Sequence, residues 1–194
     1  MELFDAIRGR RSVGMLKDEP VSKEQIEQIL EAGNWAPSHH NTEPWRFFVM
    51  TGEGRSVLAN AYADIAIDHA RASGAAVEEA DIRTKQGAKA FRAPVVIAVA
   101  VSPSPDPQVC RVEEFAAAHC AVQNMLLAAH AIGLGAIWRS GEPMYHSIMR
   151  QAFGLKEGEE LVALLYLGVP QLPLPVKKRI PVREKTVWIE SAGR

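Results

Sequence analysis

The chain has little that would brace it from outside. Its two cysteines, Cys110 and Cys120, do not make a disulfide framework, which argues against a small secreted scaffold. No stretch approaches the ~20 consecutive apolar residues of a membrane-spanning helix. The start, MELFDAIRGRRS, carries acidic residues and no apolar run of signal length. Charge of one sign is missing as well: 22 Lys and Arg against 23 Asp and Glu leave a net charge of -1. Neither nucleic acid nor an anionic membrane is therefore implied as a partner. What remains is 194 residues that are 47% hydrophobic, enough to bury a core as one domain over residues 1–194. A soluble, cytoplasmic protein is the default expectation.

The most informative stretch runs from Glu31 to Met50, EAGNWAPSHHNTEPWRFFVM. Gly33 lies where a helical pattern ends, and a left-handed or loop conformation is predicted there. Pro37 and Pro44 bias Ala36 and Glu43 away from the α region. Between them stand five polar residues, Ser38, His39, His40, Asn41 and Thr42. Trp45 to Met50 then reads as a strand rich in aromatic and β-branched residues. A polar loop fixed at both ends beside a buried strand suits a binding site. The plainer alternative is an αβ connection whose polar side chains only cap backbone.

Around this stretch the pattern is mixed. Leu3, Phe4 and Ile7 predict a short amphipathic helix ending near Gly9. Arg10, Arg11 and Ser12 follow, two guanidiniums and a hydroxyl that suit a phosphate, or else a solvated basic turn. Ser22 and Gln25 form a capping box ahead of a helix that buries Ile26, Ile29, Leu30 and Gly33. Helices are predicted over Gly54 to Ala72 and from about Ala76 to Ala90, placed as lids over a site are often placed. Val95 to Val101 reads as a strand buried on both faces, Ser102 to Gln108 as a loop, and Val112 to Leu134 as a long helix. The alanines of that helix admit close packing on several sides or across a subunit boundary, and its His119 and His130 read as packing residues.

Gly133-Leu134-Gly135 is not a dinucleotide fingerprint, because a helix precedes it and a strand, Ala136 to Trp138, follows. Trp138, Arg139, Ser140 and Gly141 close that strand and suit a planar polar ligand, although Trp138 reads equally well as core. A helix is predicted over Pro143 to Phe153 and a second apolar strand over Leu161 to Val169. Beyond it, Pro170, Pro173, Pro175 and Pro181 forbid a helix. Ile180, Val182, Val187, Trp188 and Ile189 would be poorly placed in solvent, so residues 170–194 are expected to be an extended arm laid on its own domain or on a second copy of the chain.

Arg10-Arg11-Ser12, Ala36-Pro37-Ser38 with Asn41, and Pro44-Trp45-Arg46-Phe47 together resemble the nitroreductase family of FMN-dependent oxidoreductases. The later elements agree in order: a buried strand, a long helix, Gly-Leu-Gly before a short strand, Leu167-Gly168, and a tail with Lys178-Arg179-Ile180-Pro181. The likeness runs from about Phe4 to Val187, with Thr51 to Phe91 its weak part. It is to the shorter members with a Trp-Arg-Ser stretch.

The resemblance implies an α+β fold, a three-layer sandwich whose mostly antiparallel sheet is flanked by helices. It also implies an intertwined homodimer with FMN at the interface. Arg10, Ser12 and Arg11 would then hold the phosphate and ribityl end, with Arg179 reaching the phosphate from the tail. Trp35, Ser38, His39 and Asn41 would line the flavin, partly from the opposite subunit, and Trp138, Arg139 and Ser140 would lie along the ring or phosphate. The implied reaction is ping-pong: NAD(P)H reduces the flavin, and an electron-poor acceptor such as a nitroaromatic, quinone or enone reoxidises it, with no catalytic side chain. One position departs from the pattern. Many relatives carry a basic residue where this chain has Gly14, so that role is lost or passes to Lys17 or Arg139. Two other classes compete: a flavin-binding storage or sensing dimer, and a metal-dependent hydrolase using His39, His40, His119 and Glu43. The latter lacks the helical HExxH spacing.

Overall fold

The computed structural model describes residues 1–74, 78–174 and 178–191. Its centre is a pair of strands, β2 (Val95–Val101) and β4 (Glu160–Gly168), running antiparallel from Val95 opposite Leu167 to Val101 opposite Glu160. Every residue of β2 is buried. Five of its seven are β-branched, the kind that packs best on a pleated surface, and each such burial stabilises by roughly 2 kcal/mol. β1 (Trp45–Thr51) pairs with the outer side of β2 and β3 (Gly135–Arg139) with the outer side of β4, giving the order β1-β2-β4-β3, antiparallel throughout.

Helices cover both faces, as the α+β reading expects. On one side α2 (Lys23–Asn34) and α5 (Arg111–Ala131) pack on Val95, Ile97, Val99 and Leu165. On the other side α3 (Ser56–Ala72), with the short α6 (Glu142–Tyr145) and α7 (Ser147–Ala152), packs on Val96, Ala98, Leu164 and Tyr166. α4 (Glu79–Gly87) lies along α3, and α1 (Leu3–Gly9) meets α5. Among the described residues no helix is long and apolar enough to cross a membrane.

α2 begins with the capping box read from Ser22 and Gln25. Gly33 corrects the expectation made for it. It sits inside α2, buried, and the helix runs on to Asn34. A Cβ there would come within 2.8 Å of Met125 Cγ and 3.2 Å of Phe47 Cζ. Glycine is needed for close packing of α2 on α5 and β1, a tertiary demand that a local end signal does not reveal. The helix expected over Pro143 to Phe153 is likewise two, broken at His146, where the backbone is extended (ψ 147°). The one expected from Ala76 begins as α4 at Glu79, and Ala76 lies outside the described residues.

The segment from Ser12 to Lys17 closes the β3 side of the sheet. Ser12 bridges Ala136, Leu16 bridges Pro170, and Val13 N–H donates to Ala136 O at 2.9 Å. Lys17 N–H donates to Val169 O, and the Gln171 side chain donates to Leu16 O. These bonds set the Arg10-Arg11-Ser12 turn beside β3 and beside the root of the C-terminal arm. Further out in the C-terminal segment, Val182, Val187, Trp188 and Ile189 are each about four-fifths exposed.

At the far end of β2 and β4, Glu159 is buried and accepts from Arg46 Nη1 (2.7 Å), Ser102 Oγ (2.7 Å) and Lys156 N–H (2.8 Å). Burial pushes its carboxyl up, but these donors and the charge of Arg46 outweigh that and hold it below its ordinary 4.5. A carboxyl so depressed stabilises the fold above its unfolded value and loses that contribution as pH falls through the folded one. Glu159→Ala should cost about 2 kcal/mol at pH 7. In denaturant titrations across pH, the gap to wild type should narrow below 4.5; a gap independent of pH would contradict the assignment.

Candidate active site

β3 alternates its side chains between the two layers. Trp138 faces the α5 layer, its ring stacked with that of His119 at 5.5 Å. Ile137 faces the α3 layer, and two positions on, the Arg139 guanidinium lies 5.4 Å from the Tyr166 ring centroid. On this side the end of the sheet opens into a cavity of about 450 Å³ lined by β3, β4, Tyr62 of α3, the α6 turn, Lys89 and Arg92.

Gly14 stands at the same place. A Cβ there would lie 3.9 Å from Arg139 Nη2 and 3.9 Å from Ile137 Cδ1. Of the two residues expected to take over the basic role missing at Gly14, only Arg139 is in position, since Lys17 is paired at the surface with Glu19. Arg139 is also poised for a ligand. Its Nε is buried with no hydrogen-bond partner, a costly condition that an incoming acceptor relieves.

A second concentration of charge lies next to the first. Arg8, Arg11 and Arg179 border one pocket with Ile7. Burial, Arg179 and Arg11 all lower the pKa of Arg10. Arg11 Nη1 is tied to the carbonyls of Arg8 and Arg10, at 2.6 and 2.7 Å, which fixes the turn. Burial and the fields of Arg10 and Arg11 also lower the pKa of His130, at the end of α5. A Cβ at Gly9 would come within 2.8 Å of His130 Nε2, so glycine lets the turn close on the helix. Three guanidiniums that repel one another this closely are matched by a dianion such as a phosphate.

The remaining expected residues lie elsewhere. Trp35, Ser38, His39 and Asn41 gather where α2 passes into β1. His39 pairs with Glu113 and Thr42 with the buried Glu114, both in the first turn of α5. The loop is conformationally costly, with φ of 57°, 53° and 47° at His40, Asn41 and Glu43, each worth on the order of 1–3 kcal/mol. Those contacts, and the bond from Glu43 N–H to Ser38 Oγ, hold it. Trp35 is exposed, its indole N–H donating to Glu31. From Glu113 to His130 is seventeen residues of helix, about 25 Å at roughly 1.5 Å per residue. Within one chain, then, Arg10, Arg11 and Arg179 cluster at the turn beside the start of β3, Trp138, Arg139 and Ser140 border a separate cavity further along that strand, and the loop group stands by the first turn of α5.

The metal-site reading loses its geometry. His119 is engaged with Trp138 rather than with the histidine pair, and among the described residues no group of three or more His, Cys, Asp or Glu could hold a metal. Sequence reasoning missed Tyr62, Lys89, Arg92 and Tyr166. Tyr62 and Lys89 fall in predicted helices where the family likeness is weakest, Arg92 just beyond them, and Tyr166 lay inside an apolar strand run, where nothing flags its hydroxyl.

Comparison with known proteins decides the family. The model of the Nitroreductase family matches residues 7–169. The chain belongs to the nitroreductase family. It is 36% identical over 181 residues to the "Putative NAD(P)H nitroreductase YdjA" of Escherichia coli K12, covering 93% of this chain and 95% of that one. Its fold is similar to a nitroreductase-like family protein from Bacillus cereus, with a TM-score of 0.84 at 30% identity over 98% and 97% of the two chains. It is also similar to a protein of Desulfovibrio desulfuricans named a putative nitroreductase and solved in complex with FMN (TM-score 0.71, 31% identity, 99% of each chain). As a family member the chain is an oxidoreductase of the FMN- and NAD(P)H-dependent kind, and the donor set fits FMN: cations for a phosphate at one end, a buried unpartnered Arg139 Nε at the other.

His130 reports on the arginine end. In the free protein it should titrate below its ordinary 6.5, seen in the imidazole proton resonances. Arg10→Gln should move it up, and so should a bound phosphate, which offsets the arginine field. A titration unmoved by either change would mean that His130 does not sense this cluster.

Proposed function

We propose that two copies of this chain hold FMN between them and reduce electron-poor small molecules with electrons from NAD(P)H. What carries the reading is the alignment along one sheet edge of the Arg10, Arg11 and Arg179 cluster with Ser12, Trp138, Arg139 and Ser140. When bound, FMN accepts a hydride from the nicotinamide and passes it to the acceptor, so no acid, base or nucleophile of the protein is required.

The side chains orient and polarise. Arg10 and Arg179 would grip the phosphate, Ser12 would donate toward the ribityl end, and Arg11, locked to its own turn, supplies field. Trp138 and Ser140 would position the ring, with Arg139 supplying the positive charge that Gly14 lacks. Ser38, His39 and Asn41, with Trp35, would reach the ring from the second copy. About 25 Å of α5 separates that loop from the arginines of its own chain, and a twofold mate removes the distance. The exposed faces of α1 and the arm, among them Leu3, Phe4, Val182 and Trp188, supply apolar surface for that contact. Residues 170–194 act in this reading as an arm of a single domain spanning 1–194. With no separate nicotinamide domain, reductant and acceptor take turns over the flavin in a ping-pong cycle. A reductant of the cell interior fits a cytoplasmic enzyme.

Purified protein should take up one FMN per chain and sediment as two chains. Without oxygen, NADH or NADPH should bleach the bound flavin, and a nitroaromatic, quinone or enone should restore its colour. Protein that takes up no FMN refutes the proposal. Protein that stays yellow under both nicotinamides is a storage or sensing dimer instead.

Charge placement gives a second check. Arg139→Gln should lower the midpoint potential of bound FMN by on the order of 30 mV, equivalent to about 1.4 kcal/mol for a two-electron couple. Adding Gly14→Lys, which the local space admits, should recover most of the shift. A potential insensitive to Arg139 would remove it from the flavin's surroundings.

A further inference from the structure

The 450 Å³ cavity beside β3 carries more positive charge than a flavin ring explains. Its lining holds Lys89, Arg92 and Arg139 and contains no aspartate or glutamate. Elsewhere Arg46, Arg71, Arg83 and Arg111 each pair with a carboxylate. Among the described residues none of the three cavity cations does. Two of them rest on aromatic faces instead, Lys89 Nζ 5.9 Å from the Tyr62 centroid and the Arg139 guanidinium 5.4 Å from that of Tyr166. A ring face attracts a cation without neutralising it.

The two phenols do not supply the missing anion. Burial raises the pKa of both Tyr62 and Tyr166, so each keeps its proton at neutral pH. They share one hydrogen bond, Oη to Oη at 3.4 Å, which uses one hydroxyl proton and leaves the other to donate. Between the cations the wall is apolar, from Ile137, Met144 and Leu164. The pocket bordered by Arg8, Arg11 and Arg179 is a separate one. The chemistry that answers such a wall is a flat ring bearing one anionic oxygen group.

We infer that Lys89 and Arg92, beside the phenol pair, recognise a carboxylate on the electron acceptor, so that this enzyme prefers aromatic acids to neutral aromatics of the same shape. The inference rests on the FMN reading for what happens to the acceptor, with Arg139 given over to the flavin and Lys89 and Arg92 left for the acid. Selectivity here is an electrostatic difference between two ligands of one shape.

Calorimetric titration of the FMN-loaded protein with benzoate and with its neutral isostere benzamide tests this. Benzoate should bind at least about tenfold more tightly, as a charge-assisted contact implies. The Lys89→Gln/Arg92→Gln variant should lose that preference while keeping its FMN and its thermal midpoint. If the double variant does not fold, the two single variants should each lose part of it. Equal binding of benzoate and benzamide by wild type overturns the inference, as does a preference that survives in the double variant. So does a variant whose only change is weaker NADPH binding, which would assign the cations to the dinucleotide's phosphates. A protein that takes up no FMN refutes the flavin reading alone; the benzoate-to-benzamide ratio, measured as heat on the flavin-free chain, still decides the anion site.

Discussion

The length of α5 governs how this protein can make a site. Its first turn holds the Ser38–Thr42 loop through Glu113 and Glu114, and its last turn packs His130 against the Gly9–Arg11 turn. A rigid helix of 21 residues keeps these ends apart. In the proposed reading the polar groups of the Ser38–Thr42 loop and the arginines of the Gly9–Arg11 turn therefore cannot serve one ligand from a single chain. The chain also leaves apolar residues exposed on α1 and on its arm. A symmetric pair would meet both conditions with one contact, so the proposed dimer and the proposed flavin site stand or fall together.

The strained loop follows from the same frame. Three non-glycine residues with positive φ are costly, yet each buried β-branched residue of β2 returns a comparable amount. The loop is bounded by β1, itself registered on β2 from Trp45 opposite Val101. Nearby, Ser102 N–H donates to Pro44 O at 2.7 Å. A stiff sheet can hold an unfavourable turn in one shape, and a turn in one shape presents its polar groups to a ligand at little further entropic cost.

At the opposite end of the sheet, the N-terminal segment turns a run of basic residues into a charged edge. Backbone bonds from Val13, Lys17 and Gln171 tie residues 12–17 to β3 and to the start of the arm. Gly14 then leaves room beside the Arg139 guanidinium. A basic side chain at position 14 and Arg139 would compete for the same volume and the same negative charge, so the glycine and the arginine are best understood as one choice.

Local rules carried the elements whose cause is local. The capping box of α2, the fully buried β2, the apolar run of β4 and the end of α5 before Gly133 follow from periodicity and from prolines and glycines within a few residues. Resemblance of ordered motifs added the family. Tertiary structure alone decided the rest. Gly33 is required by Met125 and Phe47, far away in sequence. His119 belongs to Trp138 because β3 is laid on α5. Lys89, Arg92, Tyr62 and Tyr166 line one cavity only because α3 and the turn after α4 are brought beside β4 by the fold. A side chain's local pattern records which face it shows to the core, and nothing in that pattern records which distant charge it will share a cavity with.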